Sequence, residues 1–173
     1  MKKHLTLLIA CLFNFLVNKE NNTLTITREF AASRRLVWDC YTKSELLDQW
    51  FAPKPLRTKT KSMDFRNGGH WHYAMIDPNG NEYWGWAEYM NITPIDYYET
   101  FDAFSNEKGE INDKLPRAKW IVTFSDKGEN TVVETIVKYD SLNDLETVIN
   151  MGMEQGMLST MEKLDELLLT INK

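Results

Sequence analysis

The C-terminal segment, from Ser141 to Lys173, places apolar residues at steps of three and four, which is the period of an amphipathic α-helix. Ser141 is a favourable N-cap residue, so we predict one long helix that begins there. Met151 and Leu158 fall off the apolar stripe, which indicates either a bend near Gly152 or a contact between subunits. The stripe itself consists of Leu142, Leu145, Ile149, Met153, Met157, Leu164, Leu167 and Ile171.

Glycine and methionine are concentrated along this predicted helix. Gly152 and Gly156 are four residues apart, and each costs about 1 kcal/mol relative to alanine inside a helix. One interpretation is close packing of the helix backbone on another element. The other is that the missing side chains, beside the flexible Met153, Met157 and Met161, leave room for a ligand.

Most of the chain before this helix alternates with the period of two that is typical of β-strands. The turn Asp77-Pro78-Asn79-Gly80 predicts a hairpin, because proline presets one φ and glycine accepts a positive one. A second hairpin is predicted around Asp126-Lys127-Gly128. The predicted strands are Thr23 to Phe30, a strand from Leu56 onward, His70 to Asp77, Glu82 to Ile92, Tyr97 to Phe104, Ala118 to Ser125 and Thr131 to Tyr139.

Two short helices are predicted between the first strand and the rest. Ser33 caps the first of them, and the second runs from Ser44 to Phe51 before Pro53 and Pro55 end it. The order predicts an α+β fold, in which a curved antiparallel sheet of about six strands wraps around the C-terminal helix. Six Trp, seven Tyr and eight Phe are more than a minimal core needs. We therefore expect a space between sheet and helix that aromatic side chains line.

The N-terminal residues allow more than one interpretation. Lys2 and Lys3 precede an apolar run from Leu5 to Val17, which resembles a short secretory signal, and residues 8–11 resemble a lipoprotein cleavage box ending at Cys11. The apolar run continues past Cys11, so we favour a short strand at residues 15–17 and a turn at residues 19–22. A cytoplasmic protein is the expectation, and export or lipid anchoring through Cys11 is the alternative.

Composition excludes several classes of function. The formal net charge is −5 and the pI is near 5.3, so the chain lacks the basic surface of a nucleic-acid-binding protein. Cys11 and Cys40 give neither a disulfide framework nor a metal-binding pattern. No apolar run reaches the ~20 residues that cross a bilayer.

Several sequence blocks, each weak alone, occur in an order that resembles one known family, the activator-of-heat-shock-protein-ATPase-like domains of the START-like (SRPBCC) superfamily. The resemblance extends from Thr23 to Leu169. Ser33, Ala87 and Asn91 depart from the usual residues of the family. The blocks are Arg28-Glu29-Phe30-Ala31-Ala32 with Val37-Trp38, Tyr41-Thr42 with Leu47-x-x-Trp50-Phe51-x-Pro53, Phe65-Arg66-x-Gly68-Gly69, Met75-x-Asp77-Pro78-Asn79-Gly80-x-x-Tyr83, Tyr89-x-Asn91-Ile92-x-Pro94, and Gly156 with Leu164-Asp165-x-Leu167.

This resemblance implies a single helix-grip domain with an internal cavity, which we place at residues 23–173 after an N-terminal extension of residues 1–22. Members of the superfamily bind lipids, hormones or polyketides, and a few are cyclases or resistance proteins. The eukaryotic namesakes bind a chaperone through additional segments that we do not find in this sequence.

Candidate ligand-binding residues come mainly from the aromatic surplus. Strand alternation groups Trp71, Tyr73 and Met75 on one face, and Trp50 and Phe51 stand where they could close the mouth of a cavity. Core packing alone would also explain most of these aromatic residues. The full set of candidates is Trp50, Phe51, Trp71, Tyr73, Met75, Trp86, Trp120, Met153, Gly156 and Met157.

Other polar residues are candidates for chemistry. His70 and His72 share a strand face, but a third metal ligand is missing nearby, so hydrogen-bonded histidines are the better interpretation. Cys40 lies on the apolar side of its helix, which is typical of an inert core thiol. Carboxylates that would serve as acid or base if they lay in a cavity are Asp64, Glu82, Glu88, Glu99 and Asp102.

Two surface features point to partners or to gating. Arg57, Lys59 and Lys61 form a basic strip on an acidic chain, which fits either a solvated sheet edge or docking to an acidic partner. The polar loop from Ser105 to Pro116 is long enough to be a lid or simply a mobile excursion.

These observations favour a non-catalytic binding protein for a small apolar or lipid-like ligand, without cofactor, metal or catalytic residue. One alternative is a co-chaperone-like interaction module with a role in stress response, whose partner is a chaperone or a second copy of the chain. The other alternative is an acid–base enzyme of the polyketide-cyclase type, which needs an ionisable group with a perturbed pKa on the cavity wall.

Overall fold

A computed structural model describes residues 12–172 of the chain. The signal-like residues up to Cys11 lie outside this range. Within it the chain forms eight strands and four helices. Their bounds are β1 Phe13–Asn18, β2 Thr23–Phe30, α1 Arg34–Thr42, α2 Ser44–Trp50, β3 Arg57–Met63, β4 His70–Ile76, β5 Glu82–Thr93, β6 Tyr97–Ser105, β7 Ala118–Lys127, β8 Asn130–Tyr139, α3 Leu142–Asn150 and α4 Met153–Ile171.

All eight strands belong to one antiparallel sheet in the order β1-β2-β8-β7-β6-β5-β4-β3. The expectation of about six strands was too low. Strands β3 to β8 account for six, and β2 and β1 extend the same sheet because β2 pairs with β8 and β1 pairs with β2. The strand predicted at residues 15–17 is confirmed, and it lies at one edge of the sheet. Residues of the expected N-terminal extension therefore add a strand to the sheet of the main domain.

The two helices after β2 form as the sequence predicts. The Ser33 side chain accepts a hydrogen bond from the Leu36 N–H at 3.4 Å, which satisfies an otherwise unpaired donor at the start of α1. Helix α2 ends at Trp50, and the backbone N–H of Phe51 closes it by donating to the Leu47 carbonyl. Val37, Leu47 and Trp50 are buried against the sheet.

The C-terminal segment is two helices and not the single long helix that the apolar stripe predicts. Helix α3 ends at Asn150, Gly152 adopts a left-handed conformation with φ +88°, and α4 begins at Met153. Glycine reaches this conformation without the steric cost that a Cβ brings. The bend near Gly152 thus accounts for Met151, which is 59% exposed.

Helix α4 lies in the concavity of the sheet, with α2 beside it. Met161, Leu164 and Leu168 are buried in the main core together with β2 and β8 side chains. The Lys163 ammonium group donates to the backbone carbonyls of Ala52 at 2.8 Å and Leu56 at 3.2 Å, which holds the segment after α2 against α4. This is the START-like helix-grip arrangement. None of the helices in residues 12–172 has the length and apolarity to cross a membrane.

Candidate functional site

The pairing of β4 with β5 shows which residues lie on the inner face of the sheet, the face toward α4. Trp71 lies opposite Ala87 and Tyr73 lies opposite Gly85, and all four line the space between the sheet and α4. This confirms the grouping of Trp71, Tyr73 and Met75 on one face of β4. The other face of the strand carries His70, His72 and Ala74.

The first part of this space is an inner chamber of about 90 Å³. Rings from α1, α2 and four strands form most of its wall, and threonine hydroxyls and one carboxyl interrupt the apolar surface. The lining residues are Tyr41, Leu47, Trp50, Phe51, Trp71, Tyr73, Ala87, Tyr89, Tyr98, Thr100, Asp102, Trp120, Val122, Thr135, Met157, Thr160 and Met161.

The second part is an outer groove of about 360 Å³ that opens between the end of the sheet and the α3–α4 bend. Six residues line both parts, so the chamber and the groove meet. Those shared residues are Phe51, Tyr73, Asp102, Trp120, Met157 and Thr160. The groove is further lined by Pro53, Met75, Tyr83, Trp84, Gly85, Ala103, Phe104, Pro116, Tyr139, Val148, Met151, Gly152, Met153 and Gly156.

Helix α2 positions the aromatic rings at the junction of chamber and groove. The Trp50 indole N–H donates to the Cys40 carbonyl at 2.9 Å, which fixes the indole in the core. Phe51 then packs edge-on against Trp71, with ring centroids 4.8 Å apart, and against Tyr73 at 5.6 Å. These contacts make the wall a connected aromatic surface.

Gly85 allows Tyr73 to lie against the sheet. A Cβ at this position would stand 2.6 Å from the Tyr73 ring, closer than real contacts permit. The Tyr73 ring stacks on Trp71 with centroids 3.9 Å apart. The missing side chain at Gly85 therefore gives the Tyr73 ring its place in the wall.

Nine of the ten predicted ligand-binding residues line the chamber or the groove, namely Trp50, Phe51, Trp71, Tyr73, Met75, Trp120, Met153, Gly156 and Met157. Trp86 does not line either space. It pairs with His72 in the register of β4 and β5 and stacks on His70 with centroids 4.2 Å apart, so it lies on the outer face. The assignment of Trp86 to the cavity was wrong, because neighbouring residues of a strand point to opposite faces.

Asp102 is the one carboxyl among the described residues that line the space. Its Oδ1 accepts the Ala118 N–H at 2.9 Å, and its Oδ2 accepts the Trp120 indole N–H at 2.8 Å. Burial raises the pKa of Asp102 to about 6, although these hydrogen bonds and the charge of Arg117 act in the opposite direction. At neutral pH this partly buried carboxyl is therefore ionised in a largely apolar wall.

The other candidate carboxyls lie elsewhere. Glu82 and Glu88 are exposed, and Asp64 pairs with Arg66 at 2.6 Å. Burial tends to raise the pKa of Glu99, but hydrogen bonds from Lys119, Tyr97 and Asn91 outweigh it and hold the pKa below its usual value. None of these four lines the chamber or the groove.

The histidines and the cysteine make local contacts. His70 Nε2 lies 3.0 Å from Ser62 Oγ, and His72 Nε2 lies 3.0 Å from the Asn106 carbonyl. Burial raises the pKa of the Cys40 thiol to about 11, so the thiol stays protonated. Residues 12–172 contain no group of three His, Cys, Asp or Glu side chains placed to hold a metal ion.

The loop from Ser105 to Pro116 crosses the outer face of the sheet. Asn106 contacts His72, and a Cβ on Gly109 would stand 3.0 Å from the Trp86 ring. The middle of the loop is therefore on the side of the sheet opposite the cavity, and the lid interpretation is wrong for it. Pro116, at its end, still lines the groove.

The basic strip lies on β3, the edge strand opposite β1. Arg57, Lys59 and Lys61 are all exposed. The Lys61 ammonium group donates to the Glu107 carbonyl at 2.5 Å and lies 5.5 Å from the centroid of the Trp84 ring, so it helps to hold the loop.

The comparison with protein families agrees with the geometry. The family described as "Activator of Hsp90 ATPase homolog 1-like protein" matches residues 31–169. The chain belongs to this family. A comparison with curated proteins finds no match.

Solved structures of bacterial proteins share the fold. A protein from Arthrobacter aurescens is 26% identical with a TM-score of 0.86, and the alignment covers 91% of each chain. Ms6760 from Mycobacterium smegmatis is 28% identical with a TM-score of 0.84, covering 91% of this chain and 96% of that one. A protein from Staphylococcus epidermidis is 30% identical with a TM-score of 0.79, covering 89% and 93%. The family's fold thus extends over most of this chain.

The sequence analysis missed several polar residues of the wall. Tyr98 and Thr100 alternate along β6 with Asp102, which the sequence analysis named only as a possible acid or base, and all three line the chamber. The signal that could have found them is the alternation along β6, the same pattern that grouped Trp71 and Tyr73 on β4. On β6 the polar residues Thr100 and Asp102 share a face with the buried ring of Tyr98. Tyr139 and Thr160 also line the space, and nothing in their neighbourhood distinguishes them before the fold is known.

Proposed function

We propose that this protein is a non-catalytic binding protein that holds a small, largely apolar ligand between the sheet and α4. The observation that supports this is the joined chamber and groove, of which the groove alone has the volume of a ligand pocket, roughly 300 Å³ or more. Aromatic and methionine side chains form most of the wall. Binding of an apolar ligand to such a wall is favourable, because it removes apolar surface from water.

Binding without catalysis is the simpler function for this wall. The contacts of the Asp102 carboxyl are two N–H donors, from Ala118 and Trp120. Among the described residues, no nucleophilic side chain lies within hydrogen-bond distance of it. An acid–base enzyme would need a second group positioned to exchange the proton that Asp102 takes up.

Gly156 offers a direct test of the site. It lines the groove, and a Cβ at this position would meet no atom within 4 Å. Gly156→Phe should therefore fill the groove with its ring and weaken binding of the neutral probe N-phenyl-1-naphthylamine by about a hundredfold, the loss expected when a ring-sized volume is excluded. Probe fluorescence, titrated against protein, measures the affinity.

Gly156→Ala is the matched control. It removes the glycine from the helix and should raise the free energy of unfolding by up to about 1 kcal/mol, while leaving probe affinity within about threefold of the native value. If the native protein binds no neutral apolar probe, the proposed function is wrong. Equal affinity of the Gly156→Phe variant and the native protein would place any binding outside this groove.

A second candidate function is regulation of a chaperone ATPase, as the description of the family indicates. The specific observation is the exposed basic strip on an edge strand of a chain with net charge −5. Arg57→Glu combined with Lys59→Glu should then abolish stimulation of a purified Hsp90 ATPase, whereas Lys108→Glu with Lys138→Glu should not. Lys61 is left native because it holds the loop. Stimulation that survives the reversal at residues 57 and 59 would remove this candidate.

A further inference from the structure

Asp102 brings a carboxylate to the junction of the chamber and the groove. Each carboxylate oxygen accepts one N–H from the protein, so each keeps a lone pair that can accept another donor. The side chain is partly buried at this position, and burial raises its pKa to about 6. The protein therefore presents an acceptor that is only half satisfied inside an apolar site.

No ion pair balances this charge among the described residues. Arg117 donates from Nε to the Asp102 backbone carbonyl at 3.3 Å, and its guanidinium carbon lies 4.0 Å from the centroid of the Phe101 ring. Its charge stabilises the carboxylate only at a distance. Partial burial of a charge without a bonded counter-ion carries a free-energy cost, and a cation entering the cavity would reduce that cost.

Groups that face Asp102 from neighbouring elements do not change this balance. Tyr73 on β4 and Tyr139 on β8 are the titratable groups near it, and burial raises the pKa of both above the usual value, so they remain neutral. Ala87 on β5 and Met157 and Thr160 on α4 carry no titratable group. The local charge in the cavity is therefore that of Asp102.

Rings near Asp102 add a second attraction for cations. Trp120, which donates to the carboxylate, and Tyr73 with Phe51 line both parts of the space with it. Aromatic faces attract an ammonium group, and more strongly where water is excluded. Tyr41, in the chamber wall, has a buried hydroxyl without a partner. That hydroxyl is a further unsatisfied polar atom at the inner end of the space.

We propose that the ligand of this cavity is a cationic amphiphile, an amine with a flat or apolar body whose ammonium group pairs with Asp102. This inference rests on the proposed binding function and adds the chemical class of the ligand. Fatty acids and other carboxylates are disfavoured, because they would bring a second negative charge to the same buried position. A neutral alcohol with the same body should bind with intermediate affinity.

Three ligands with one naphthalene body test the class. 1-Naphthylmethylamine, 1-naphthylmethanol and 1-naphthoate carry charges of +1, 0 and −1 near neutral pH, and each can compete with the neutral probe N-phenyl-1-naphthylamine. At about pH 8 we expect the amine to bind roughly tenfold tighter than the alcohol and the alcohol tighter than the acid. If the probe itself does not bind, the proposed function fails. If the probe binds and the amine does not displace it, the cationic ligand is overturned and the binding function stands.

The order of affinities decides the inference separately. Naphthoate binding as tightly as the amine, in a cavity that does bind the probe, would overturn the cationic ligand and leave the binding function standing. Lowering the pH to about 5 protonates Asp102 and should weaken the amine about tenfold, while the alcohol changes less than about twofold. An amine affinity that does not depend on pH would also overturn the inference.

Two variants separate Asp102 from the general negative field of the protein. Asp102→Asn should remove the preference for the amine over the alcohol. Glu88→Gln, which removes an exposed charge outside the cavity, should keep it. The amide introduced by Asp102→Asn would face one N–H donor with its own NH₂ group, so circular dichroism must first show that the variant is folded. The comparison of amine affinity at about pH 8 and about pH 5 needs only the native protein, so the inference stays testable if Asp102→Asn does not fold.

Discussion

Trp50→Ala should lower the free energy of unfolding by about 3–5 kcal/mol, the range for removing a buried aromatic side chain. Trp50 is 1% exposed, its ring lies 4.8 Å from the Tyr41 ring and 5.6 Å from the Phe51 ring, and its indole N–H satisfies the Cys40 carbonyl. The substitution removes all three interactions together and enlarges the chamber. Denaturation in urea, followed by circular dichroism, measures the loss.

Two matched variants locate the cause of that loss. Trp50→Phe keeps an aromatic ring but gives up the hydrogen bond and part of the volume, so a loss of about 1–3 kcal/mol is expected. Tyr83→Ala removes an aromatic residue that is 57% exposed at the groove and should cost within about 0.5 kcal/mol. A loss below about 1 kcal/mol for Trp50→Ala would show that the chamber wall is not closely packed.

Arg28→Ala should also lower the free energy of unfolding by about 3–5 kcal/mol, because it leaves one partner of a largely buried ion pair alone. Arg28 lies on β2 and pairs with Asp165 on α4, and their side chains are 8% and 32% exposed. Burial already raises the pKa of Asp165, and Arg28 is the group that counteracts this. The pair ties α4 to the sheet at the far end from the groove.

Lys54 and Glu166 provide the matched comparison. They also join α4 to an earlier segment, with Nζ and Oε1 2.7 Å apart, but their side chains are 59% and 61% exposed. Lys54→Ala should therefore cost less than about 0.5 kcal/mol. Equal losses for Arg28→Ala and Lys54→Ala in urea denaturation would contradict the role given to burial.

Much of the fold could be predicted because local and global patterns agree. Ser33 and Ser141 both cap helices as the sequence indicates, and strand alternation placed Trp71 with Tyr73. Helix continuity across Gly152 could not be judged from the apolar stripe, which runs through both α3 and α4. The residues off the stripe, Met151 above all, were the signal that a break was present.

Trp86 shows how register decides a site. Its own strand alternation does not say which face is concave, so an aromatic surplus alone placed it in the cavity. Counting outward from the Asp77–Gly80 turn pairs Trp71 with Ala87, which puts Trp86 on the outer face. Asp102 could not be placed in the cavity wall from the sequence alone. Its partial burial depends on α4 and β7, neither of which is near it in the sequence.

The break at Gly152 means that the last thirty residues do not form one straight rod. Helix α4 is anchored by Leu164 and by the Arg28–Asp165 pair, whereas α3 has Leu145 as its buried residue. Gly152 joins the two with a backbone that tolerates a wide range of angles. The groove mouth, where Val148 and Met151 stand, is therefore shaped by the direction that the chain takes at Gly152, while the packing of α4 in the core is set by residues farther along the chain.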